Sequence, residues 1–295
     1  MKFDVKRDAA VIFIMGQSNA AGHFLPMTEE EKLLTPLKNV FGLPRELNQS
    51  LDNPALHWAG WTSGGMNLAE SYDHSWSPAN CLAAEWQAEL DGGTALPDLY
   101  IVHLAMGAHG VTKKYMWYPD REPVMEPGGP WQSNISLFPF GVHLLSLLNA
   151  SLEARGKRAL FLGLHWMGGE NDVTEPMEEL ERVLAPLYRR LFGGFRAAAG
   201  AEFPVILHTI LECPECGEET EKSREGRRRS AYINEVFDLL AREEKNITVF
   251  DRRRAPCYNP ADPLLGMFLE DRTHYTAEVN RWTAAEILKA AKGEE

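Results

Sequence analysis

The chain has 295 residues, 44% hydrophobic and 24% charged, an ordinary balance for a globular protein that buries a sizeable core. Its formal net charge of −12 speaks against a nucleic-acid partner, because phosphate binding needs a basic surface. No run approaches the ~18 consecutive apolar residues of a membrane span. Residues 1–8 lack the apolar segment of a secretory signal, so a cytoplasmic setting is expected, although a secreted chain already trimmed would read the same.

The first element is an apolar run, Val11-Ile12-Phe13-Ile14-Met15, that stops at Gly16, the pattern of a buried central strand. The polar trio Gln17-Ser18-Asn19 follows at the strand's carboxyl end, where open α/β sheets place their ligands. Ser18 there is either a nucleophile or a helix cap. Residues 24–75 show little periodicity and carry four prolines, so they are read as a long loop forming one wall of a cleft. A helix is expected over 79–90, a strand over 99–105, a second long loop over 112–133 and a helix over 134–155. The remaining elements are a strand over 159–166, a helix over 175–199, a strand over 205–211, a helix over 224–243, a strand over 247–251 and a closing helix over 276–292.

Strands alternating with helices imply βαβ units, a parallel sheet covered on both faces and right-handed crossovers. No linker divides the chain, so one domain over 1–295 is expected. Cys213 and Cys216 have knuckle spacing, but a structural zinc site needs four ligands and there is no second pair. Free thiols are expected, with zinc or a loop disulfide as alternatives. The basic run 227–229 lies in a Glu-rich helix and reads as a solvated face.

A serine hydroxyl is a weak nucleophile and needs a base that a third group orients. Asp271-Arg272-Thr273-His274 supplies both, since the i, i+3 spacing brings the carboxylate to Nδ1 and leaves Nε2 for the Ser18 proton. Acyl transfer also needs donors for the developing oxyanion. Three candidates sit at successive strand ends: the Ser18 N–H, the Gly107 N–H and the Asn171 amide. Gly107 is otherwise a plain turn glycine, and Asn171 otherwise closes an Asx-turn. His23, His109 and His165 also lie near strand ends and are read as structural histidines.

These blocks, Gly16-Gln17-Ser18-Asn19, then Gly107, then Gly169-Glu170-Asn171-Asp172, then Asp271-x-x-His274, resemble the SGNH (GDSL-type) hydrolase superfamily. The first block and Trp166-x-x-Gly169-Glu170 are similar to its sialate O-acetylesterase and acetylxylan esterase branch. The resemblance runs from residue 11 to about 288. It implies a flavodoxin-like three-layer α/β/α sandwich around a mainly parallel five-stranded sheet. It implies Ser18 as nucleophile, His274 as base and acid, Asp271 as its orienter, and Ser18, Gly107 and Asn171 as the oxyanion hole. Ala20, Ala108 and Gly168 depart from the branch's usual methionine, glycine and glutamine, which loosens the sugar-acetate assignment but not the hydrolase one.

The expected activity is a serine esterase that removes acetyl or another short acyl group from a carbohydrate through an acyl-enzyme. Alternatives are an esterase, thioesterase or lipase-like hydrolase on a non-sugar ester, and a silent carbohydrate-binding protein on the same scaffold. The partner is then a small-molecule or oligosaccharide ester. Gln17, Asn19, Glu170 and Trp117 are the expected substrate contacts. Trp58, Trp61, Trp76, Trp117 and Trp131 fall in or beside the long loops and either stack on sugar faces or anchor those loops, anchoring being slightly preferred. No phosphate-loop or dinucleotide fingerprint is present, so neither a cofactor nor a metal is expected.

Overall fold

The computed structural model describes residues 3–70, 75–126, 134–211 and 220–294; Trp131, Cys213 and Cys216 lie outside the described residues. The central strand is β1 (Asp8–Gly16), and all nine of its residues are buried. It is buried on both sides because its side chains alternate between two cores. Val11, Phe13 and Met15 enter one, and Ile12 and Ile14 enter the other.

A four-residue helix, α1 (Ser18–Ala21), begins just past β1. The stretch expected as a long loop instead contains β2 (Val40–Gly42), α2 (Arg45–Asn48) and β3 (Ala59–Gly60). Then come α3 (Pro78–Asp91) and β4 (Asp98–Ala105). Ser77 accepts the Asn80 N–H at 3.1 Å and Pro78 occupies the first helical position, a start that leaves few orphan donors. Late in the second long stretch, β5 (Met125–Glu126) pairs antiparallel with β6 (Asn134–Ile135), which takes the first two residues of the segment expected as helix.

The chain continues through α4 (Leu137–Glu153), β7 (Arg158–Met167), α5 (Met177–Ala199) and β8 (Val205–His208). It ends with α6 (Glu221–Glu243), β9 (Ile247–Phe250) and α7 (Ala277–Lys292). α6 starts three residues before the expected 224 because Thr220 and Ser223 form a reciprocal capping box. Just before α5, Asp172–Thr174 form a short 3-10 turn.

The main sheet has seven strands in the order β3-β2-β4-β1-β7-β8-β9, against the five expected. Its strands run parallel except β3, which pairs antiparallel with β2 at the edge. Leucines and aromatics of α4, α5 and α6 pack on one face, while α3 and α7 cover the other. The result is the expected α/β/α sandwich. No described helix is long and apolar enough to cross a membrane.

One row of the sheet register positions everything that follows. Gly16 pairs with Ala105 on one side and Met167 on the other, so β1, β4 and β7 end level. The turns bearing Ser18, Gly107 and Asn171 therefore leave the sheet side by side. Gly16 has φ +140°, and a Cβ there would lie 2.1 Å from the Met167 carbonyl oxygen. Only glycine lets β1 close this tightly on β7.

Candidate active site

Ser18 opens α1 directly after that close approach and is 5% exposed. Neither its N–H nor its hydroxyl has a hydrogen-bond partner among the described residues. The side chain next to it does the joining. Asn19 Oδ1 accepts the Tyr275 N–H at 3.0 Å, and Asn19 Nδ2 donates to the Thr273 carbonyl at 3.3 Å. The backbone on both sides of His274 is thus fastened to the residue after Ser18, although some 250 residues separate them in sequence. The Asn19 amide also donates to Glu170 Oε1 at 2.9 Å, which ties in the turn after β7.

Within the last turn, Asp271 Oδ2 lies 2.7 Å from His274 Nδ1. Burial works against the Asp271 charge, but the His274 N–H, the His274 imidazole and the Thr273 N–H outweigh it and hold the carboxyl below its ordinary value. That bond directs Nδ1 toward Asp271, and in the neutral imidazole Nε2 is then the lone-pair nitrogen. No hydrogen bond joins Nε2 to the Ser18 hydroxyl among the described residues.

The turn after β7 meets the first block through Gln17. Its Oε1 accepts the Asn171 N–H at 3.4 Å, and its own N–H donates to the Met167 carbonyl at 2.9 Å. The Asn171 carbonyl accepts from Tyr115 and Thr174, while its side-chain amide has no partner among the described residues. Asp172 points the other way and is fully buried, accepting the N–H groups of Val111 and Thr112. Burial nevertheless pushes its carboxyl up to about 7.

The chain matches no protein-family model and no curated protein by sequence. Among solved structures it is similar to the crystal structure of NanS, with a TM-score of 0.56 and 16% identity over 97% of this chain and 98% of that one. It is also similar to an inhibitor-bound aryl esterase of M. smegmatis, with a TM-score of 0.50 and 12% identity over 98% of this chain and 100% of that one. The chain shares the fold of an aryl esterase. At these identities the likeness is one of fold, and it extends over nearly the full length of both partners.

Several expected roles change in the structure. Trp117 does not face a cleft: it is fully buried, donates its indole N–H to the Gly16 carbonyl at 3.0 Å and packs edge-on against Trp166. It props the end of β1. Gln17 and Asn19, also expected at the substrate, are 1% and 4% exposed and hold backbone instead. Glu170 holds Asn19 with one oxygen, while its Oε2 is buried without a partner among the described residues.

The Gly107 N–H, expected to face an oxyanion, donates to Glu70 Oε1 at 2.8 Å. Trp61 and Trp76 are buried anchors, and Trp58 bonds Ser151 at the end of α4. The described tryptophans of the long loops thus anchor them.

Two residues beside His274 carried no signal in the sequence. Phe24 sits at φ +59°, 57% exposed, with its ring edge-on to His274 at 4.9 Å. Glu70 bonds His23, whose ring lies 5.7 Å from that of His274. A bulky residue at positive φ is an uncommon strain that function often explains.

Proposed function

We propose that this chain is a serine esterase of the SGNH hydrolase superfamily that releases acetyl or another short acyl group. Asn19 carries the reading: one side chain fastens the Ser18 turn to the two residues flanking His274. In the reaction the Ser18 oxygen attacks the acyl carbon while its proton passes to His274 Nε2. Asp271 holds the imidazole in the required tautomer and stabilises it once protonated. The protonated His274 then gives its proton to the departing alcohol, leaving an acyl-enzyme. Water, activated by the same nitrogen, releases the acid and restores Ser18. The unpartnered Ser18 N–H and Asn171 amide supply donors to the oxyanion.

Two ester classes fit this chemistry. An O-acetylated carbohydrate follows from the Gly-Gln-Ser-Asn block, as in the sialate and xylan esterase branch. A non-sugar acyl or aryl ester is favoured by the burial of Trp61, Trp76 and Trp117, which removes the aromatic platform expected for a sugar face.

Hydrolysis of p-nitrophenyl acetate, lost in Ser18→Ala, checks the enzyme class; a folded wild-type protein that leaves every ester intact favours a silent binding protein. A panel of O-acetylated sialic acid, acetylxylan, phenyl acetate and alkyl esters of rising chain length then decides the substrate. The carbohydrate reading expects the acetylated sugars to lead in kcat/KM. A preference for acyl chains of eight carbons or more contradicts it.

A further inference from the structure

A second imidazole–carboxylate pair stands beside the first. Glu70 Oε2 lies 2.6 Å from His23 Nε2, and the two side chains are 6% and 8% exposed. The other oxygen of the same carboxylate accepts the Gly107 N–H at 2.8 Å. Glu70 is itself held from behind, since its backbone carbonyl accepts from the Arg45 guanidinium at 2.6 Å. The space over the Gly107 Cα is filled as well: a Cβ there would fall 2.2 Å from His23 Cε1. Gly107 therefore gives room to an imidazole, and its N–H is satisfied by a buried, anchored carboxylate.

A donor in that position is a poor partner for a developing oxyanion. Its hydrogen is already engaged, and the carboxylate that engages it repels a second negative oxygen. The Ser18 N–H and the Asn171 amide, by contrast, have no partner among the described residues. We propose that the oxyanion in this chain is held by two donors, Ser18 and Asn171, and that Glu70 is a positioning residue that withdraws the Gly107 N–H and sets His23 against His274. The assignment rests on the serine-esterase reading and specifies how that site stabilises charge.

The test is carried out on the full chain, labelled with 15N and inactivated with diethyl 4-nitrophenyl phosphate. The Ser18 oxygen forms the bond to phosphorus, 4-nitrophenolate leaves with the P–O electron pair, and the serine proton passes to His274. The phosphoryl oxygen of that adduct occupies the oxyanion position. The two-donor hole predicts a large downfield move of the Ser18 amide proton, with the Gly107 amide unmoved. An equal downfield move at Gly107 overturns the proposal.

Two variants add a kinetic readout. Glu70→Gln keeps an acceptor for Gly107 and presents an NH2 group to His23, so kcat is expected within about threefold of wild type. Glu70→Ala removes both and is expected to lower kcat about tenfold or more with KM little changed, through misplacement near His274. A rise in kcat for Glu70→Ala, or a loss in Glu70→Gln as deep as in Glu70→Ala, contradicts the positioning role. A protein that takes no label at Ser18 overturns the esterase reading, and the two-donor assignment falls with it.

Discussion

Asn19 concentrates three contacts in one short side chain: the Tyr275 N–H, the Thr273 carbonyl and Glu170 Oε1. Its amide has donor and acceptor in the arrangement those partners need, and no other residue of its size offers both. Asn19→Ala is expected to lower kcat about a hundredfold, because the imidazole is no longer held at the nucleophile. It should also cost about 1–3 kcal/mol of stability through the groups left unpaired. Asn19→Asp is the sharper probe. It keeps the acceptor for Tyr275 but sets a carboxylate against Glu170 and the Thr273 carbonyl, so it should be at least as damaging as alanine. Steady-state kinetics with denaturant melts of both variants check this. Full activity in Asn19→Asp would mean that the clamp is not what places His274.

Among the elements, the end of β1 is the tightest point. Gly16→Ala puts a methyl group on the Met167 carbonyl and forces a side chain to φ +140°. A loss of about 3 kcal/mol or more in a denaturant melt is expected, or failure to fold. A variant as stable as wild type would contradict the register derived for β1 and β7.

This same junction shows what could be read in advance. β1 was legible because both its faces are buried, which turns it into one unbroken apolar run. The Asp271–His274 contact and the place of Ser18 just past β1 were legible because each lies in a short local pattern. β2 and β3 were not, since strands of three and two residues are too short to carry a periodicity. The inward orientation of Trp117 was illegible for a related reason. A tryptophan in a proline-rich stretch has no phase to say which way it points, and its partner, the Gly16 carbonyl, lies 101 residues away. Glu70 had no motif at all, yet it decides the partner of Gly107.

Across the whole molecule, three buried histidines and the half-buried His109 set the response to acid. Burial pushes His103 and His109 down to about 4, the second helped by the Arg121 charge. Burial takes His165 to about 3 and His208 well below its ordinary value, with Arg252 adding to the effect on His208. His165 of β7 and His208 of β8 meet at 3.1 Å. All four stay neutral in the folded chain until the pH nears 4, whereas the unfolded chain binds protons on them below about pH 6.5. Stability should therefore fall as pH drops from about 6.5 towards 4, by up to about 1.4 kcal/mol per pH unit for each fully buried histidine. Asp172 and Glu85, both pushed up to about 7 by burial, act in the opposite sense over the same range. Four histidines against two carboxyls leave a net loss in acid. Melting temperatures from pH 7.5 to 4, compared between wild type and His165→Phe, check the sign: the variant should have the shallower slope.

Esterase turnover by this site requires that the Ser18 hydroxyl and the His274 imidazole share a proton. Rapid-quench mass spectrometry of p-nitrophenyl acetate turnover tests it most directly. A 42-Da acetyl adduct is expected on the peptide containing Ser18, formed in a burst and absent in both Ser18→Ala and His274→Ala. An adduct on another residue, or undiminished acetylation of Ser18 in His274→Ala, would contradict it.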